Sequence, residues 1–101
     1  MNLYKIRKEL HKIPELGFEE IKTQKYILQL LKKIDGIIVH TFDFPGILIE
    51  YSHGNGKYKM FRADMDALPI SEDTNCGFES EHKGKMHACG HDGHTTMLLG
   101  A

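Results

Sequence analysis

Cysteine is scarce in this 101-residue chain, which holds only Cys76 and Cys89. Two thiols cannot build a disulfide framework. They fit a reducing cytosol, where an isolated thiol is buried filler, metal ligand or nucleophile. Long apolar runs are missing too, and none nears the roughly 20 residues that span a bilayer. The opening MNLYKIRKEL lacks both the apolar stretch and the small-residue cleavage site of a secretory leader. Neither sign of charge prevails. Thirteen Lys and Arg stand against 14 Asp and Glu, for a net charge of −1. That balance gives no footprint for nucleic acid and no drive toward an anionic membrane. There is no internal repeat and no low-complexity tract. The expectation is a cytoplasmic protein with neither nucleic acid nor membrane as partner.

The chain does have enough apolar sequence for one modest core. Apolar residues make up 41% and charged residues 27%, an ordinary globular balance. A chain of this size buries roughly 60–70% of its unfolded surface. Asn2 is a suitable N-cap for a helix carrying Leu3, Ile6, Leu10 and Ile13 at helical spacing, which Pro14 stops. A second helix is predicted from about Phe18 to Ile34. Its apolar stripe is Ile21, Ile27, Leu28, Leu31 and Ile34, and Gly36 follows at its left-handed end. Three strands are then predicted at Ile37–Phe42, Ile47–Tyr51 and Lys57–Arg62, the last two joined through Gly54-Asn55-Gly56. From Ala63 to about His91 the sequence predicts a long irregular stretch, the kind that usually carries function. A helix opens near Gly93. The order ααβββ, loop, α reads as the opening of an α/β domain.

Histidine is the residue in excess. Four of seven (His82, His87, His91 and His94) lie within thirteen residues, with Cys89 and Asp92 among them. Imidazole and thiolate are the main ligands of borderline-soft metals. In an extended segment His87, Cys89 and His91 project to one side, and Gly90 and Gly93 let the backbone fold close around an ion. The plainer alternative is a small buried Cys among hydrogen-bonded histidines. Asp64 and Asp66 sit just past a predicted strand end, where ligands gather in open α/β sheets. Either could bind metal or orient a ligating imidazole, and either could simply close a turn. In HKIPELGFEE, packing and capping account for the Pro and the acids, with a contribution of His11 or Glu15 to a site as the alternative.

Three stretches in order, RKELHKIPELGFEE, FRADMDALPISE and MHACGHDGHTTMLLGA, resemble the start of the metal-dependent amidohydrolase family. That family includes hippurate hydrolases, N-acyl-amino-acid amidohydrolases, auxin-conjugate hydrolases and N-acetyldiaminopimelate deacetylases. The resemblance implies a zinc-exopeptidase-like catalytic α/β domain with helices packed on a mixed central sheet, of which residues 1–101 would be the N-terminal part. An inserted dimerisation domain and a C-terminal half would lie outside them. It implies Cys89 and His91 as metal ligands and Asp66 as a catalytic-site carboxylate close to the metal, orienting the site. The cofactor implied is one or two divalent ions, zinc or manganese. The implied substrate is a small N-acyl amino acid or short peptide, hydrolysed at its amide bond. In such relatives the general base and the remaining ligands follow the third stretch, so this chain is expected to be inactive alone and prone to self-association. Two readings from other classes stay open. One is a self-contained zinc-binding structural or interaction module using Cys76, Cys89 and two His. The other is a hydrolase with Cys89 as nucleophile.

Overall fold

Helix α1 (Leu3–Lys12) starts where the sequence places it, with the Asn2 side chain accepting from the Lys5 N–H at 3.1 Å. It stops before buried Pro14. The computed structural model describes residues 1–101. After α1 come α2 (Ile21–Leu31), β1 (Ile37–Thr41), β2 (Ile47–Tyr51) and α3 (His91–Gly100), the α/β character expected. Helix α2 ends three residues earlier than its apolar stripe suggests. Gly36, at φ +81°, serves the turn into β1 instead of the helix end. Ile21 is exposed, and Thr23 takes the buried place on the first turn.

The start of α2 shows why HKIPEL has its composition. The Glu15 carboxylate accepts from the Lys22 N–H at 3.1 Å, the Thr23 N–H at 2.7 Å and the Thr23 hydroxyl at 2.7 Å. It therefore satisfies helix-start donors that Glu20, at the N-cap itself, leaves without a side-chain bond.

Strands β1 and β2 pair antiparallel, with Val39 opposite Ile49. Ile37, Val39 and Ile47 turn toward the core formed by Ile6 and Leu10 of α1 and Ile27 and Leu31 of α2. The third strand expected at Lys57–Arg62 does not form. Tyr58, Met60 and Phe61 are exposed there, with no packed face beneath them to reward pairing.

The irregular stretch between β2 and α3 is fastened to the α1–α2 corner. Ala67 N–H donates to the Glu15 carbonyl at 2.8 Å, Glu81 N–H donates to the Lys12 carbonyl at 2.8 Å, and the His82 ring lies 2.8 Å from the Pro14 carbonyl. A bridge between Leu68 and Met86 closes it on itself. Helix α3 lies along α1 in the opposite sense, since Gly100 meets Leu3 while Asp92 meets His11.

Replacing Glu15 with Ala is expected to cost about 2 kcal/mol, because it strands helix-start donors in a buried setting. Glu19→Ala, at an exposed position, should change stability by less than about 0.5 kcal/mol. Urea unfolding of the two variants checks the contrast.

Candidate metal centre

The FRADMD segment lies against the first turns of α3. The Thr95 hydroxyl donates to the Asp64 carbonyl at 3.1 Å, and His91 Nδ1 lies 2.9 Å from the Asp66 carbonyl. The side chains of the two acids then part. Asp64 accepts from Arg62 at 2.7 Å, while Asp66 Oδ1 stands 3.0 Å from the same His91 Nδ1. Both partners of Nδ1 are acceptors, so the hydrogen of a neutral His91 ring belongs there, and Nε2 keeps its lone pair. A carbonyl or carboxylate holding one ring nitrogen while the other is free to bind is the arrangement of metal-ligating histidines.

The extended path expected for His87, Cys89 and His91 is not what forms. The chain bends at Cys89, Gly90 takes φ +93°, and His91 already belongs to α3. The bend separates the three side chains: His87 is buried, Cys89 is exposed with a free thiol, and His91 is half-buried. The left-handed Gly90 is the physical cause, since it reverses the chain and lets the helix begin two residues before Gly93. His87 is the residue that sequence patterning left undistinguished. It is 4% exposed, and neither ring nitrogen has a partner. Burial holds its pKa below the ordinary value, opposed by the charges of Asp92 and Asp66. Two orphaned nitrogens in a buried ring are rare, and they suit a group that completes the site on binding. The donor set (one thiol, the Nε2 lone pair of His91 and the orphaned His87 ring) thus fits a borderline-soft divalent ion.

Behind His91 lies a buried chain of charge. Asp92 is 2% exposed; its Oδ2 accepts from Arg7 at 3.0 Å and faces His11 Nδ1 at 2.8 Å. The other His11 nitrogen lies 3.0 Å from Glu72 Oε2. His11, given to helix packing by the sequence, is thus the link between α1, α3 and the irregular stretch. The three ligand-type atoms that close within 4.8 Å of one another belong to His11, Glu72 and Cys76, so Cys76 does not join Cys89 in a shared group. On the other side of the FRADMD segment, Asp66 lines a cavity of about 580 Å³ together with Arg62 and Glu20. Burial, with the charges of Asp66 and Glu15 nearby, raises the Glu20 pKa.

Residues 60–101, which contain the FRADMD segment, the Gly90 bend and α3, match Peptidase family M20/M25/M40. The chain carries an M20 peptidase segment. N-acetyldiaminopimelate deacetylase of Oceanobacillus iheyensis is 47% identical over 103 residues, covering 100% of this chain and 28% of that protein. The deacetylase of Anoxybacillus flavithermus is 50% identical over 99 residues, covering 94% of this chain and 26% of its own length. The crystal structure of the YXEP protein of Bacillus subtilis, described as a dinuclear metal binding peptidase of the M20 family, superposes with a TM-score of 0.89. It is 40% identical and covers 97% of this chain and 28% of that one. The chain therefore spans about a quarter of the length of the relatives it matches. The M20 segment is the α/β part of those structures that holds the FRADMD and CGHD motifs.

The buried charge chain carries a pH signature. Burial raises the Glu72 pKa, but hydrogen bonds from Thr74, the Ser80 N–H and His11, with the His11 charge, outweigh burial and hold it at about 2. A carboxyl depressed on folding stabilises above its unfolded pKa, and that stability is lost as pH falls toward the folded value. The melting temperature should therefore fall between about pH 4.5 and pH 2. Glu72→Gln should flatten this acid limb, which thermal melts across that range would show.

Proposed function

We propose that this M20 segment forms the opening part of the catalytic site of a metal-dependent amidohydrolase that cleaves the amide bond of N-acyl amino acids or short peptides. The observation that carries the reading is the His91 ring, anchored through Nδ1 on Asp66 with Nε2 unblocked, two residues from an exposed thiol. Cys89 as thiolate and His91 through Nε2 would hold the ion, either zinc or manganese. Asp66 is a positioning carboxylate, because its contact is with the His91 ring. A bound divalent ion supplies Lewis acidity toward an amide carbonyl and a water. The chain's own part is to fix the imidazole tautomer, offer the thiolate and keep the His87 side of the site buried. The proton transfers of amide hydrolysis need a positioned general base worth about 10²–10⁴-fold, and none of the three residues is free for that task.

Relatives named as deacetylases of an N-acetylated amino acid support a small N-acyl amino acid as substrate. Their likeness, with the reducing-compartment reading of the two thiols, supports a cytoplasmic site of action. The hairpin supports self-association. Ile38, Leu48, Phe42 and Phe44 are exposed on or beside β1 and β2, and such surfaces tend to pair with another chain.

Two experiments test this reading. A chimera in which the chain replaces the first quarter of an N-acetyldiaminopimelate deacetylase should hydrolyse N-acetyl or hippuryl amino acids with zinc or manganese. Asp66→Ala should lower its activity by about 10–100-fold, and Cys89→Ser and His91→Ala should lower it further. A folded, metal-loaded chimera with no turnover, or one indifferent to Cys89 and His91, overturns the assignment. The 101-residue chain alone should show no turnover. In sedimentation it should associate with rising concentration, whereas a monomer at every concentration removes the hairpin as a pairing surface.

A further inference from the structure

We infer that the chain has a second metal site, distinct from Cys89 and His91, in which His11 Nε2, the Glu72 carboxylate and the Cys76 thiolate hold a zinc-class divalent cation. The three ligand atoms lie within 4.8 Å of one another, and they come from α1 and from two points on the irregular stretch. They are the three ligand types zinc takes: imidazole nitrogen, carboxylate oxygen and thiolate sulfur.

The orientation of His11 is the strongest support. Its Nδ1 faces Asp92 Oδ2 at 2.8 Å, so the hydrogen of a neutral ring sits on that side. Its Nε2 lone pair then points at Glu72 Oε2, another acceptor, 3.0 Å away. Two acceptors at that distance repel unless a cation stands between them, either a proton or a metal ion that both atoms ligate. A carboxylate on one ring nitrogen with the metal on the other is the usual support of a zinc-bound histidine. The third ligand is already in place, because Cys76 Sγ lies 3.5 Å from the same Glu72 oxygen.

Burial and access suit the site as well. His11 is 3% exposed, and Phe78 packs edge-on against its ring with centroids 5.3 Å apart. Cys76 is exposed and lines a cavity of about 440 Å³ beside α1, which gives an ion a way in. Glu72 is held ionised far below neutral pH by the donors around it, so it needs no deprotonation to bind. The site would tie α1 to the 72–76 turn and, through Asp92, to the first turn of α3. It is a structural brace that leaves catalysis to other residues, and it does not rest on the proposed amidohydrolase activity.

The test uses the 101-residue chain with Cys89→Ser, in which Cys76 is the sole thiol. Cobalt(II) titrated into this variant should raise a thiolate-to-metal charge-transfer absorption that saturates at one equivalent and is displaced by zinc. The absorption should be absent from Cys76→Ser/Cys89→Ser. Glu72→Gln in the Cys89→Ser background keeps the side chain's shape and should weaken cobalt binding by at least about 10-fold, with circular dichroism confirming the fold. A Cys89→Ser chain with no thiolate absorption overturns the site, as does an absorption whose affinity ignores Glu72→Gln.

Discussion

The contact on which the rest of the structure depends is the buried one between Asp92 and His11. A carboxylate that is 2% exposed is costly to bury unless it is paired and hydrogen-bonded. Here Arg7 and His11 face one oxygen, and the Gly93 N–H donates to the other at 2.9 Å. The same residue's carbonyl accepts from the Thr96 hydroxyl at 2.7 Å. This set fixes the first turn of α3 against the middle and end of α1. Removing either member leaves a buried charge without its partner, which costs far more than the pair gains over an apolar replacement. The start of α3 is therefore held in one place by electrostatics, in a region where the apolar contacts are few.

The parts of the fold that were legible in the sequence are those decided by neighbours a few residues away. Asn2 caps α1 through Lys5, three residues on, and Pro14 stops it by its own covalent geometry. The parts that were not legible depend on distant partners. His11 reads as a helix residue because its partners lie 61 and 81 positions along the chain. Glu15 caps α2 from seven and eight residues upstream, outside the spacing of a capping box. The end of α2 was misplaced because the apolar stripe runs past the point where the helix geometry stops, and Lys57–Arg62 has strand composition without a surface to pack on.

The candidate site divides in the same way. The residue types of the CGHD motif announce a metal ligand set, since thiol and imidazole chemistry needs no structure to be recognised. Their arrangement was misread because one glycine decides it. Gly90 in the left-handed region turns an extended path into a bend, which buries His87 and exposes Cys89. The alternating pattern that would have aligned His87 with Cys89 applies only while the chain stays extended. The orphaned nitrogens of His87 had no signature in sequence at all, because an unpartnered atom is visible only once every neighbour is placed.

The order His then Asp at the start of α3 follows from these constraints. Successive residues on a helix point about 100° apart. His91 can therefore face the FRADMD segment while Asp92 faces α1, from adjacent positions on one turn. The two anchors act on a single rigid element: Asp66 sets the angle of the imidazole, and His11 with Arg7 sets the position of the helix that carries it. Moving Asp92 one residue later would swing its carboxylate a further 100° or so around the axis, away from α1. It would leave His91 held by the Asp66 contacts alone. A ligand imidazole needs both its direction and its location fixed to within fractions of an ångström, and the adjacent pair fixes the two with separate partners.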